Sequence, residues 1–446
     1  MYLVNKIKIF LLFLGDVLAL YLALFIVLAL RYGGNFYSQL VDRHFLPFTI
    51  VFALWITTFY IAGLYDLRRL RNNIEFLKTL SLTVFINALL TILFFYALTP
   101  VFGITPKTNL FIFVGAFAVI EVLWRRWFNN MASSGEAPNK ILLIGNTGSA
   151  EEIVKTVCDN PQLGYEIKVW LKNEPTESPP QALHELVRNN KINLIVIPRH
   201  LKRDGKMASA LYKLLNYGVT VYDLTNFYEL VMGKVPIVDL EEAWFLENLV
   251  EQQKFYDPLK RAWEFLAALI LGIILLPLEI LIALLIRLTS RGPATYKQMR
   301  VGQGGREFTL YKFRTMKVDA EKDGAKWADP ADKRSTGFGQ FLRHTHLDEL
   351  PQLFNVIKGE LSFVGPRPER PEFVKVLKEK VPYYEIRLLV KPGVTGWAQI
   401  NFHKDTTTED VAQKLQYDIY YLKNRSIILD MAIILRTLKS FFINPK

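Results

Sequence analysis

The chain has 446 residues, 51% of them hydrophobic, and a net charge of +12, too long for one ordinary domain. Such a basic balance suits nucleic acid, a membrane surface or anionic substrates, but no zinc-ligand spacing or aromatic RNA-binding motif supports the first, so nucleic acid is set aside. The single cysteine, Cys158, excludes an intramolecular disulfide framework and fits a reducing compartment.

Four apolar segments open the chain, at about 9–30, 45–64, 79–99 and 109–124. Each approaches the roughly 20 residues that cross a bilayer as a helix. The first is long enough to span and has no clear small-residue cleavage site, so a retained helix is expected rather than a signal peptide. Lys6, Lys8, Arg68, Arg69, Arg71, Lys78, Arg125 and Arg126 flank one side; Arg31, Arg43 and Lys107 flank the other. The positive-inside rule then puts both ends of a four-helix transmembrane region, residues 1–131, in the cytoplasm. Asp16 and Glu121 are two isolated acids, so an interfacial or helix-packing role is expected rather than a transport path.

Met131 to Pro138 reads as a linker. Residues 138–245 then show the rhythm of a Rossmann-like α/β domain. Apolar runs at Ile141–Ile144, Ile167–Leu171, Leu194–Ile197 and Val219–Tyr222 alternate with helical stretches, as in a parallel sheet. Gly145 to Gly148 forms the first turn, and Ser149 with Glu152 is a capping box opening a helix. The turn could hold a phosphate at the helix N-terminus. A full G-x-G-x-x-G and a ribose-binding acid are both missing, so an assembly or regulatory role is expected over cofactor binding.

Residues 253–446 form the third part. Its segment 262–286 is apolar enough to span, yet Lys260 and Arg261 precede it and Arg287 and Arg291 follow. Cations at both ends suit a segment that enters and leaves on one face, and Pro277 can bend it midway. The expectation is a re-entrant helix broken at Pro277. Further on, Tyr311 to Met316 alternates like a strand, with Lys312 and Arg314 on one side. Leu347-Asp348-Glu349-Leu350-Pro351-Gln352 sets two carboxylates at a helix start. Leu350, Leu353, Phe354 and Ile357 have helical spacing, Pro351 fits the first turn, and Gly359 is a stop. There the helix dipole would keep Asp348 ionised, able to act as a nucleophile. The reading of the pair as an N-cap Asp and first-turn Glu stays open. Arg343 lies just upstream, and Pro366, Pro368 and Pro371 stiffen the segment that carries Arg367. Arginine's planar fork matches phosphate oxygens. Together these pieces suggest phosphoryl transfer.

These stretches carry a resemblance. Residues 257–446 are similar to the catalytic domain of bacterial polyprenyl-phosphate hexose-1-phosphate transferases. The matching parts are Lys312 to Met316, Arg343 to Gln352, Asn355 to Glu369, Lys391 to Gln399, and the later Asp418 and Asp430. One departure is His346, where many members have Ser. The resemblance implies an α-rich monotopic catalytic domain with a re-entrant membrane helix, in a large multidomain protein of the bacterial inner membrane. It implies that Asp348 attacks a UDP-sugar, that UMP leaves, and that undecaprenyl phosphate takes the sugar phosphate from the aspartate. Mg²⁺ would be held with help from Glu349. Arg343, Arg367, Lys312 and Arg314 are then candidates for phosphate or nucleotide contacts, or else for fold-supporting ion pairs. Asp418 and Asp430 divide between substrate binding and helix capping or ion pairing. The catalytic face would be cytoplasmic, against the lipid bilayer, with room for a homo-oligomer. Apolar faces on Val411, Leu415, Ile419 and Leu422, and along Ile427 to Phe442, would seat the domain on the membrane or pack its core. Two other classes stand beside this reading. A nucleotide-sugar oxidoreductase would work through the middle domain. A non-enzymatic scaffold for polysaccharide assembly would not need Asp348.

Overall fold

The computed structural model describes residues 2–67, 72–103, 108–133, 139–172, 180–249, 256–316, 336–402 and 407–443. Arg68, Arg69, Arg71, Lys107 and residues 134–138 of the expected linker lie outside the described residues. The chain divides into two compact units, 1–231 and 232–446.

The first unit opens with long helices at Tyr2–Tyr32, Phe45–Ala62, Ile74–Ala97 and Thr108–Ser133. Tyr2–Tyr32 packs along Thr108–Ser133, and Phe45–Ala62 along Ile74–Ala97. Among the described residues three stretches are long and apolar enough to cross a membrane: Ile7–Ala62, which holds the first two helices, Ile74–Ala97 and Tyr256–Thr289. Such segments satisfy their own backbone hydrogen bonds, the condition for lying in hydrocarbon. The protein is therefore membrane-associated.

Asp16 and Glu121 bind helices together. Asp16 Oδ2 lies 2.5 Å from Arg125 Nη2, and Glu121 Oε1 accepts from Arg125 Nε at 2.7 Å. Arg125 also donates to the Leu64 carbonyl at 2.7 Å. All three charged residues are fully buried. Arg125, read from the sequence as a charge flanking an apolar segment, is thus engaged inside the helix packing. Two acids at van der Waals depth require a cation beside them, and Arg125 is the one within reach.

Next comes a four-stranded parallel sheet, with β1 Asn139–Ile144, β2 Tyr165–Leu171, β3 Leu194–Ile197 and β4 Thr220–Asp223. Its strand order is β2-β1-β3-β4. That is the flavodoxin-type doubly wound order rather than the classic Rossmann order. Apolar runs identify parallel strands but not their neighbours. The capping box is corrected as well. The helix after β1 spans Gly148–Asp159, and Thr147 is its N-cap, accepting from the Ala150 N–H. Glu152 instead accepts the Tyr228 hydroxyl at 2.6 Å.

The second unit begins earlier than the sequence reading placed it. Val235, Ile237, Leu240, Trp244 and Phe245 share a core with Val301, Val374, Tyr384 and Ile419. These apolar side chains find their cover there, so residues 232–245 pack with the C-terminal unit.

The helix Tyr256–Thr289 runs on through Pro277. Proline removes one hydrogen bond, which bends a helix without having to end it; the expected break is not an interruption of helix. Ala268 packs with Phe308, Leu310 and Val356, while Ile282 and Ile286 pack with Ala294, Phe313 and Leu342. Between them, 269–281 contains no buried residue. Both ends are therefore seated on the same unit and the middle is bare. Lys260 and Arg261, read as flanking charges, are both engaged. Arg261 donates to the carbonyls of Val356 and Ile357 at 2.5 and 2.7 Å, capping a helix end.

β5 Thr295–Val301 and β6 Glu307–Phe313 form an antiparallel hairpin, and β7 Ser362–Val364 pairs in parallel with β8 Gly393–Thr395. The helix Thr408–Asn424 starts with the Thr407–Asp410 capping box. Its face of Val411, Leu415, Ile419 and Leu422 is buried in the core. Of the two uses open to that face, core packing is the one found.

Candidate active site

The site is assembled from β6, the 347–358 turn and helix, and the chain that follows β7. On β6, Lys312 shares a face with the buried Phe308 and Leu310 and is itself only partly buried. Its Nζ lies 2.7 Å from Glu349 Oε1. Arg314 is past the strand end and takes another course. It is buried and donates to Ser290, to the carbonyl at 2.9 Å and to Oγ at 2.7 Å. Of two cations two residues apart, one meets the acidic pair and the other braces the end of the 256–289 helix.

Asp348 and Glu349 lie in a 3₁₀ turn, Leu347–Glu349, ahead of the helix Gln352–Lys358. His346, in the left-handed region with φ 54°, sets the turn's entry. Pro351 is the helix N-cap and Gly359, at φ 83°, the C-cap. The helix begins four residues after Asp348, so the dipole argument for an ionised Asp348 does not hold. Asp348 is only 7% exposed. Among the described residues no hydrogen bond or ion pair engages its carboxylate.

Two adjacent acids thereby differ. Burial pushes the Asp348 carboxyl up to about 6; Lys312 opposes that shift, Glu349 adds to it, and Arg343 and Arg367 oppose it. Burial would raise Glu349 too, but Lys312 and Arg367 pull it down to about 2. Arg367 Nη2 is 3.5 Å from Glu349 Oε1, with the Arg367 side chain 39% exposed. Arg343, in the helix Gly337–His344, donates from Nε to Thr315 Oγ1 at 3.0 Å. Lys312, Arg343 and Arg367 thus act on the acidic pair, while Arg314 is turned to Ser290.

The backbone that carries Arg367 is tightly enclosed. A Cβ on Gly365 would stand 2.4 Å from the Lys391 carbonyl, and one on Gly393 would stand 2.1 Å from the Gly365 nitrogen. Only glycine lets β7 and β8 approach that closely at this point.

Three residues missed by sequence reasoning support the site. Asn355, fully buried, accepts from the Tyr311 N–H at 3.1 Å and donates to the Thr309 carbonyl at 2.7 Å. It clamps the Gln352–Lys358 helix to the strand bearing Lys312. Its one signal was a polar residue inside an apolar helix. Gln352, 4% exposed, lines a small cleft with Lys312, Arg300 and Arg367. Arg387 pairs with Asp418 at 3.0 Å. Both late aspartates prove to be ion-pair partners, since Asp430 lies 2.9 Å from Lys260 Nζ.

Among the described residues no group of three or more His, Cys, Asp and Glu could enclose a metal. Two adjacent carboxylates, one held ionised, do match the way Mg²⁺ is bound through one or two carboxylates and substrate phosphates.

Chain comparisons bear on this site. A family model described as bacterial sugar transferase matches residues 255–444. The UDP-glucose:undecaprenyl-phosphate glucose-1-phosphate transferase of Xanthomonas campestris pv. campestris is 30% identical over 351 residues, 73% of this chain and 72% of that protein. The protein of the same name from Klebsiella pneumoniae is 28% identical over 92% of both chains. A UDP-N-acetylgalactosamine-undecaprenyl-phosphate N-acetylgalactosaminephosphotransferase of Aeromonas hydrophila is 39% identical over 222 residues. That last match spans about half of either protein, 50% of this chain and 52% of the relative.

Proposed function

The chain belongs to the bacterial sugar transferase family, and from that membership we propose that it moves a sugar-1-phosphate from a UDP-hexose to undecaprenyl phosphate. The observation that carries the reading is the division of labour in the acidic pair. Asp348 is buried, has no hydrogen-bond or ion-pair partner among the described residues and is pushed up to about 6; Glu349 is held by Lys312 and Arg367.

In the first step an Asp348 oxygen attacks the phosphorus that bears the sugar. The bond from that phosphorus to the bridging diphosphate oxygen breaks, and UMP departs with the oxygen and its electron pair. The product is a sugar-1-phosphoryl-aspartate. In the second step an oxygen of undecaprenyl phosphate attacks the same phosphorus and the aspartyl bond breaks. Polyprenyl-diphosphate-sugar forms and Asp348 is restored. Splitting one displacement into two lowers each barrier. Arg367, Arg343 and Lys312 stabilise charge on the phosphate oxygens. Glu349 would help hold Mg²⁺, which supplies charge neutralisation on the diphosphate when bound.

The test is a panel of radiolabelled UDP-hexoses given to membranes containing the protein. Without undecaprenyl phosphate we expect a UMP burst equal to the amount of enzyme, and with it continued turnover into a lipid-linked product. No UMP from any sugar would defeat the reading, and NAD(P)-dependent oxidation of the sugar would favour an oxidoreductase.

The same reading places the catalytic domain on the cytoplasmic face of the inner membrane and takes the N-terminal helices as a transmembrane bundle. The 256–289 helix is then re-entrant. Its bare middle, seated ends and central Pro277 support this, because a spanning helix would separate those ends by the bilayer thickness. Leu259→Cys and Arg291→Cys, each in a Cys158→Ser background, should both resist an impermeant thiol reagent in intact cells. Both should react in inside-out vesicles. Labelling of position 291 alone from outside would overturn the re-entrant arrangement.

A further inference from the structure

The backbone around Arg367 is held at four consecutive carbonyls. Pro366 O accepts from Gly393 N at 2.9 Å, and Arg367 O from Arg387 Nη2 at 2.9 Å. Pro368 O accepts from Arg300 Nη1 at 2.8 Å, and Glu369 O from Val301 N at 2.9 Å. Proline at 366 and 368 removes two φ rotations. The Arg367 side chain projects from this fixed backbone, with Nη2 3.5 Å from Glu349 Oε1.

The grip on Arg367 itself is the unusual one, because a buried ion pair supplies it. Arg387 and Asp418 have side chains 7% and 2% exposed, with Nη2 and Oδ2 3.0 Å apart. Arg387 Nη1 also donates to the Tyr384 hydroxyl at 2.9 Å. Arg387 belongs to the 3₁₀ segment Tyr384–Leu389 and Asp418 to the helix Thr408–Asn424. The 3₁₀ segment, paired with the helix through Asp418, is thereby tied to the Arg367 carbonyl. A buried ion pair is weak evidence of stabilisation, since apolar residues of like volume often do as well. A fixed point of application is something apolar residues cannot provide.

We propose that Arg387, oriented by Asp418, is a positioning residue that sets the direction from which Arg367 meets the transferring phosphate. The inference rests on the role given to Arg367 above. Arginine is required at 387 because one planar fork must face Asp418, Tyr384 and the Arg367 carbonyl together; a lysine ammonium on a flexible stem cannot hold that geometry.

A double-mutant cycle tests it in the full-length protein, with UMP release normalised to folded protein recovered in detergent. Arg387→Lys and Asp418→Asn should each lower kcat by roughly 10- to 100-fold, the scale of an ångström-level misplacement. KM for the UDP-sugar should move far less. In an Arg367→Ala background the same changes should cost less than about twofold, because residues acting through one another are non-additive. Undiminished losses in that background would make the pair a general structural support and overturn the proposal, as would wild-type kcat in the single variants. Tyr384→Phe, which removes one partner of Arg387, gives a milder third arm should the other two fail to fold. Its loss should likewise vanish in the Arg367→Ala background. Wild-type turnover by Arg367→Ala alone would instead sink the phosphate role of Arg367, an outcome distinct from failure of the coupling.

Discussion

Asp348→Asn should reduce UMP release by at least about 10³-fold, the order seen when a covalent nucleophile is lost, while the protein stays as stable as the wild type or gains stability at neutral pH. The reasons are the same for both halves. The Asp348 carboxyl is 7% exposed and pushed up to about 6. A raised carboxylate pKa means the fold disfavours the ionised form. As pH rises from the ordinary carboxylate range through about 6, ionisation of Asp348 costs the wild type stability, and above that window the cost is complete. Asparagine has no charge to bury, so the variant escapes it. The difference should be on the order of 3 kcal/mol, small at pH 4 and full at pH 8, read by thermal unfolding in detergent. Activity runs the other way. The nucleophile must be ionised, so wild-type kcat/KM should fall as pH drops below about 6. Rapid UMP release from a well-folded Asn variant would remove Asp348 from the chemistry.

For Glu349→Gln a loss of about 10²-fold is expected, the scale of a damaged metal or ligand-orienting contact. Glu349 is drawn down to about 2, so it is an anion at any working pH. Lys312 at 2.7 Å and Arg367 at 3.5 Å both depend on that charge. Glutamine keeps the shape and strands two cations. The Mg²⁺ concentration for half-maximal rate should rise if Glu349 helps hold the ion. A second signature is independent of the metal. Glu349 raises the Asp348 carboxyl, so its neutralisation should move the acid limb of residual activity to lower pH. An unmoved acid limb together with an unchanged Mg²⁺ requirement would assign Glu349 to scaffolding.

The sequence alone determined whatever depends on neighbours along the chain. The long apolar helices, the Thr407–Asp410 cap, the stop at Gly359 and the buried strands of the middle sheet all arise from local periodicity and capping. The acidic pair and its basic surroundings were visible for the same reason, as dense chemistry in short stretches. Residue type could not decide which of two like residues does which job. Lys312 meets Glu349 while Arg314 turns to Ser290. Glu349 is locked and Asp348 left alone, though they are adjacent. Arg125, which the sequence shows only as a cation flanking an apolar segment, lies fully buried between Asp16 and Glu121. Strand order, the ownership of residues 232–245 and the hold of Arg387 on Arg367 were hidden likewise. Each is settled by contacts across long sequence separation and by how far each charge is taken out of water. Those quantities exist only once the chain is folded, because Coulomb energy and desolvation depend on distance and depth, and spacing along the chain supplies neither.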